Sequence, residues 1–273
     1  MLDRIAPEAG DLGVPTLVGR KAAPVGWLIF NNPARRNAVS LEMWAAIPQV
    51  MAAFDADPDI RLVVVAGAGG RAFVSGADIS QFEAQRADPA AEARYSAVSG
   101  AGHGALARCS KPTIAMIRGF CIGGGLAVAL GCDLRIAAEG SRFGVPAARL
   151  GLGYNFPGLA ALNALVGPAY AKEIMFTARQ FDADEALRMG LINRVVADAD
   201  LETVVADYAA MIGANAPLTI RAAKLALGAA VQDPDRRDLA AVETAIADCF
   251  ASEDYAEGRR AFLEKRAPLF RGR

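Results

Sequence analysis

Short apolar runs, broken by Gly, Pro or charge, recur along the chain and alternate with longer stretches of helical period. Residues 25–32 (VGWLIFNN) read as a strand closed by the turn residues Asn31, Asn32 and Pro33. Ser40 stands where a helix N-cap is expected, with Glu42 in the first turn, and the pattern predicts a helix over residues 40–55 in which Pro48 introduces a kink. Residues 61–66 (RLVVVA) are continuous and β-branched, as in a strand buried on both faces, so strand, helix and strand predict a crossover unit. The mixed charge of residues 80–97 predicts a mobile surface helix or flap, and a helix over 100–109 stops before Lys111 and Pro112. Residues 113–118 (TIAMIR) make another buried strand, Gly123, Gly124 and Gly125 lead into an apolar helix ending near Gly131, and residues 134–138 form a further strand. Helices at 168–178 and 182–189 follow, the second capped by Asp182 and closed by Gly190, and then a strand at 192–196. Residues 200–212, 217–231 and 235–270 read as almost wholly helical. This order predicts an α/β core over residues 1–198 with a C-terminal helical region over 199–273, and no internal repeat is visible.

Composition narrows the function. The chain has 273 residues, enough to bury a core without staples, and its 53% hydrophobic content is spread in Ala-rich runs that stop short of membrane-spanning length. Residues 1–19 alternate acids, prolines and glycines with no apolar segment, so a cytosolic protein with no membrane partner is expected. The 29 basic and 30 acidic side chains nearly cancel, which leaves no electrostatic footprint for nucleic acid. Cys109, Cys121, Cys132 and Cys249 lack paired spacing, and His103 is the sole histidine. That is too few ligands for zinc, so reduced, mostly buried thiols and a metal-free mechanism are expected.

Two Gly-rich turns carry the candidate chemistry, residues 74–79 (VSGADI) and 119–125 (GFCIGGG), each after a strand and the second opening into a helix. Glycine lets the backbone approach a ligand closely, and a helix N-terminus offers free N–H donors to negative charge. Two such donors on one oxygen form an oxyanion hole, in which removing a single donor costs about 3 kcal/mol in other enzymes. Tight packing alone would also explain the glycines. Neither turn has the G-x-G-x-x-G spacing of a dinucleotide site, and no Walker lysine follows.

Taken together, the segments AFVSGADI, GFCIGGGLAVALGCDLRIAAEGSRFGVPAARLGL, GLINRVV and SEDYAEGRRAFLEKR resemble the enoyl-CoA hydratase/isomerase (crotonase) superfamily, from Leu28 to Arg266. The resemblance implies a crotonase-type α/β spiral of ββα units with a C-terminal helical trimerisation region. It implies a homotrimer or dimer of trimers acting on an acyl-CoA thioester, with coenzyme A arriving as part of the substrate and no separate cofactor. The N–H groups of Ala77 and Gly124 would form the oxyanion hole, with Gly123 in the same turn. Asp78 would anchor its turn, although a helix cap is equally compatible. Ser75 and Ile79 would flank the adenine and pantetheine path, Arg36 would grip the nucleotide, and Phe262 and Lys265 would reach coenzyme A, often from a neighbouring subunit. For Arg36 and Lys265 a solvated surface charge is the simpler alternative.

The chain departs from that pattern where hydratases of the superfamily carry two glutamates, for here those positions are Ala127 and Ala147. Alanine moves no proton, so the two-carboxylate mechanism cannot run there. Glu83, Glu92 and Glu139 read as solvated charges, and His103 as a packed or surface residue. Residues 150–158 (LGLGYNFPG) are similar to a segment of methylmalonyl-CoA decarboxylase in the same superfamily, in which the tyrosine faces the acyl group. Tyr154 would then hold a substrate carboxylate or protonate the enolate after carbon dioxide leaves, or else be a core tyrosine bonded to a backbone carbonyl. Asn155 is a turn residue or a polar partner. The decarboxylase has histidine where this chain has Ala77, and proline where it has Gly153. Three readings follow: a decarboxylase or lyase using the hole and Tyr154, a hydratase or isomerase using another acid such as Glu83 or Glu139, and a silent acyl-CoA binder.

Overall fold

In the computed structural model, which describes residues 10–78 and 88–273, the strands sort into two sheets. The chain enters through an antiparallel meander of β1 (Leu12–Val14), β2 (Leu17–Ala22) and β3 (Val25–Phe30). Helix α1 (Leu41–Ala56) follows, capped by the Ser40 hydroxyl, which accepts from the Met43 N–H at 3.2 Å. β4 (Leu62–Gly67) then returns parallel to β3, completing the crossover expected from the sequence.

From β4 onward each unit contributes one strand to each sheet. β5 (Ala72–Val74) opens the small sheet, and α2 (Pro89–Arg108) leads back to β6 (Thr113–Ile117) beside β4. β7 (Phe120–Ile122) lies parallel to β5, and α3 (Gly124–Leu130) leads to β8 (Leu134–Ala138), parallel to β6. β9 (Arg142–Gly144) lies parallel to β7, and after α4 (Ala147–Leu150) and α5 (Phe156–Thr177) the strand β10 (Phe181–Asp182) closes the small sheet antiparallel to β9. α6 (Ala183–Arg188) carries the expected Asp182 cap, and β11 (Arg194–Val196) joins β8. Helices α7 (Leu201–Ala214), α8 (Pro217–Ala230), α9 (Leu239–Ala251) and α10 (Glu253–Leu263) complete the chain.

The continuous apolar run of β4 is explained by its two faces. Successive strand side chains point to opposite sides. Val63 and Val65 join a core with Phe30, Phe73 and Leu126, whereas Leu62, Val64 and Ala66 join a second core with Leu201, Val205 and Ala209 of α7.

Several boundaries differ from those the sequence predicts. α2 runs unbroken from Pro89, with Asp88 accepting from the Ala91 N–H at 2.8 Å, so residues 89–97 and the expected helix at 100–109 are one element. The rest of the expected flap, residues 80–87, lies outside the described residues. α5 extends well before the expected start at 168, and Gly167 (φ 73°) with Pro168 breaks its geometry midway. The region 235–270 is two helices joined at Ser252 and followed by a non-helical tail. Buried Asp254 holds that tail by accepting from the N–H groups of Arg271 and Gly272 at 2.6 and 2.8 Å, and Arg61 donates to the Phe270 carbonyl at 3.1 Å. Among the described residues, no helix is long and apolar enough to cross a membrane.

Candidate active site

The two Gly-rich turns leave the C-terminal ends of β5 and β7, neighbouring parallel strands of the small sheet, where open α/β structures place ligands. In the first turn Gly76 has φ +120°, and its carbonyl accepts from the Val39 N–H at 2.8 Å. The Asp78 N–H donates to the Val39 carbonyl at 3.0 Å, so Ala77 is held between two ladder-like bonds. In the second turn Gly123 has φ +53° and donates to the Gly144 carbonyl at 2.8 Å. Gly124 is the first residue of α3, where an N–H has no acceptor within the helix. Among the described residues, no backbone acceptor faces the N–H of either Ala77 or Gly124.

Close packing brings these donors together. A Cβ on Gly125 would stand 2.0 Å from the Val74 carbonyl oxygen, so only glycine lets α3 approach the end of β5 this closely. A Cβ on Gly124 would lie 3.5 Å from the Ala77 nitrogen. Packing therefore accounts for Gly125, whereas the space beside Gly124 is open towards the Ala77 nitrogen.

The remaining site candidates divide by location. The Tyr154 hydroxyl lies 3.7 Å from where a Gly123 side chain would begin, beside Pro146, and the residue is half-buried against the main core. Asp78 pairs with Arg35, whose Nη1 reaches both carboxylate oxygens at 3.0 and 3.1 Å. This ion pair ties the end of the first turn to the segment after β3. Arg35 itself escaped the sequence reading, because nothing in its neighbourhood marks a partner 43 residues away. The Ser75 N–H donates to the Arg36 carbonyl at 3.1 Å, and the exposed Arg36 guanidinium stands over the Phe120 ring, 5.4 Å from its centroid. Ile79 and Glu83 lie outside the described residues.

Phe262 and Lys265 sit elsewhere, at the end of α10. Phe262 lines an apolar groove of about 730 Å³ with Leu218, Phe250 and Phe270, built wholly from C-terminal residues. The two Gly-rich turns contribute nothing to it.

Ala127, at one of the two positions where the sequence resemblance implies a glutamate, is half-buried on α3, and Ala147, at the other, is buried at the start of α4. Glu139 is exposed beyond β8, its N–H bonded to the Val196 carbonyl, and Glu92 accepts from Ser96 Oγ at 3.1 Å on α2. Asn155 caps α5, its Oδ1 accepting from the Gly158 N–H at 3.1 Å. His103, on α2, packs towards α3; burial pushes its pKa below the usual imidazole value, while the Ala127 carbonyl favours the proton. Cys109, Cys121 and Cys132 are buried free thiols, and burial raises Cys109 to about 11 and Cys132 to about 12, so they are inert at neutral pH.

The chain matches the enoyl-CoA hydratase/isomerase family over residues 20–273. It is 35% identical over 246 residues to the short-chain-enoyl-CoA hydratase of Clostridium acetobutylicum, covering 90% of this chain and 94% of that one. To the crotonyl-CoA hydratase of Syntrophomonas wolfei it is 35% identical over 254 residues, covering 93% and 97%. Among solved structures, an enoyl-CoA hydratase/carnithine racemase from Magnetospirillum magneticum is similar with a TM-score of 0.89 at 35% identity, over 96% of this chain and 97% of that one. An enoyl-CoA hydratase from Bacillus anthracis is similar with a TM-score of 0.88 at 28% identity, over 94% and 100%. The names these relatives carry are those of hydratases, and none of the four is called a decarboxylase.

Proposed function

This chain belongs to the enoyl-CoA hydratase/isomerase family, and on that premise we propose that it processes an acyl-CoA thioester whose carbonyl oxygen sits between the N–H groups of Ala77 and Gly124. The observation that carries this reading is the 3.5 Å between the Ala77 nitrogen and the position of a Gly124 Cβ. Electron density pushed towards the carbonyl during reaction at the α- or β-carbon collects on that oxygen. Two fixed donors stabilise it, each worth about 3 kcal/mol when removed in other enzymes. Asp78, tied to Arg35, fixes the first turn, and Ser75, Gly123 and Arg36, on or bonded to the two turns, would flank the bound thioester.

Reaction of an enoyl thioester, by hydration or isomerisation, is the choice that the relatives' names support. It requires a proton-transferring group other than residues 127 and 147, and among the described residues the Tyr154 hydroxyl beside Gly123 is a polar side chain that the geometry offers. The same hydroxyl favours a second reading, decarboxylation of a malonyl-type thioester, which needs anion stabilisation and one proton but no strong base.

Crotonyl-CoA and malonyl-CoA, incubated separately at high enzyme concentration, distinguish the two. A hydrated product supports the first and released carbon dioxide the second. Under either, Tyr154→Phe lowers turnover about 100-fold or more with thioester binding retained. Binding without turnover of any thioester would leave a silent acyl-CoA binder and defeat the catalytic reading.

We further propose a homotrimer or a dimer of trimers. Phe262 and Leu263, 83% and 80% exposed beside the apolar groove, supply surface that such an assembly would cover. Phe262 and Lys265 would then meet coenzyme A across a subunit boundary.

A further inference from the structure

The first catalytic turn does not hold itself in place. Ser75, Gly76 and Asp78 are bonded to residues 36–39, through Ser75 N–H to Arg36 carbonyl (3.1 Å), Val39 N–H to Gly76 carbonyl (2.8 Å) and Asp78 N–H to Val39 carbonyl (3.0 Å). The position of the Ala77 N–H is therefore set by the position of residues 36–39. That segment begins with two consecutive left-handed residues, Arg36 (φ 51°) and Asn37 (φ 56°), neither of them glycine. Such conformations persist only where the surroundings over-determine them.

Asn37 supplies the determination. Its side chain is fully buried, with 0% exposure. Oδ1 accepts from the Asn32 N–H at 2.9 Å, while Nδ2 donates to the carbonyls of Ala68 at 2.9 Å and Ala72 at 2.8 Å. One amide thus joins three segments: the start of the turn after β3, the turn after β4, and the first residue of β5. Space is reserved for it, since a Cβ on Gly67 would stand 2.8 Å from Nδ2. Asn37 holds the start of β5 directly, and holds its far end, where Ala77 lies, through residues 36–39.

We infer that Asn37 is a positioning residue for catalysis, its buried amide fixing the Ala77 N–H at the distance from Gly124 that a thioester oxygen requires. This rests on the reading of the two turns as a carbonyl-binding hole. Asn37 bonds only to protein groups, so its effect falls on polarisation of the carbonyl and on kcat more than on affinity for the coenzyme A portion.

The test uses butyryl-CoA labelled with carbon-13 at the carbonyl, which has no double bond to react, and reads its carbonyl stretch by difference infrared spectroscopy. Wild-type protein shifts the stretch to lower frequency. Asn37→Gly removes the amide while keeping a residue that adopts positive φ without strain. It is expected to lose at least about half of that shift while the Kd for butyryl-CoA changes less than about threefold. Asn37→Asp, which turns two donors into an acceptor facing two carbonyls, is expected to lose at least as much. A folded Asn37→Gly protein with the full wild-type shift would overturn the inference. Absence of any shift in the wild type is a different result: the hole reading itself fails and takes this inference with it. Should neither variant fold, amide exchange in the wild type decides. Protection of the Ser75 and Val39 N–H groups equal to that of β4 supports the tie, and exchange at the rate of an exposed loop refutes it.

Discussion

A methyl group on residue 124 would stand 3.5 Å from the Ala77 nitrogen, an ordinary contact that costs the fold little but fills the space proposed for the thioester oxygen. Gly124→Ala is therefore expected to fold with a near-wild-type melting temperature and to lose about 100-fold or more in turnover. Undiminished turnover in a folded variant would remove Gly124 from the chemistry. At the same scale, His103 is the only histidine in the chain, so a single imidazole resonance reports its titration. Burial lowers its pKa below 6.5, so in acid the unfolded state takes up the proton first. The stability that neutral His103 represents is present above pH 6.5 and is lost as pH falls through the lower folded value. An NMR titration midpoint at or above 6.5 would contradict this. The two turns that hold Ala77, Gly123 and Gly124 were visible in the sequence because Gly76 and Gly123–Gly125 mark special backbone. Arg35 and Asn37 were not, because an ion pair across 43 residues and an amide bonded to carbonyls 31 and 35 residues away leave no local pattern.

Elements were legible in proportion to their length and period. β4, β6 and β8 read correctly from their unbroken apolar runs, and α1 and α6 from their caps, Ser40 and Asp182. The small sheet that carries both Gly-rich turns did not, since β5, β7 and β9 have three residues each, too few for alternation to register. The C-terminal tail was read as helix because its composition permits one, whereas Asp254 captures two of its N–H groups instead. Asp254→Ala leaves those donors without their acceptor, and we expect a loss of about 1–3 kcal/mol together with faster hydrogen exchange over residues 267–273. Unchanged exchange there would show that the tail is held by Phe270 and Arg61 without the carboxylate.

For the whole molecule, the two-faced burial of β4 explains how one sheet supports both the catalytic layer and the helix α7 behind it. The α/β class followed from the alternation of strand and helix patterns, but the sorting of strands into two sheets is a long-range property that no single stretch of sequence displays. The apolar surface around Phe262 and Leu263 belongs to this scale. A trimer or dimer of trimers requires sedimentation equilibrium to return three or six times the 28.5 kDa chain mass, and a monomer at micromolar concentration would dismiss that assembly. The central claim, that one thioester oxygen is shared by two backbone donors from separate turns, is tested most directly by a crystal structure of the protein with butyryl-CoA. The account predicts the carbonyl oxygen within about 3 Å of both the Ala77 and the Gly124 nitrogen, with the acyl chain beside Tyr154. A thioester bound with its carbonyl directed away from both nitrogens would contradict it.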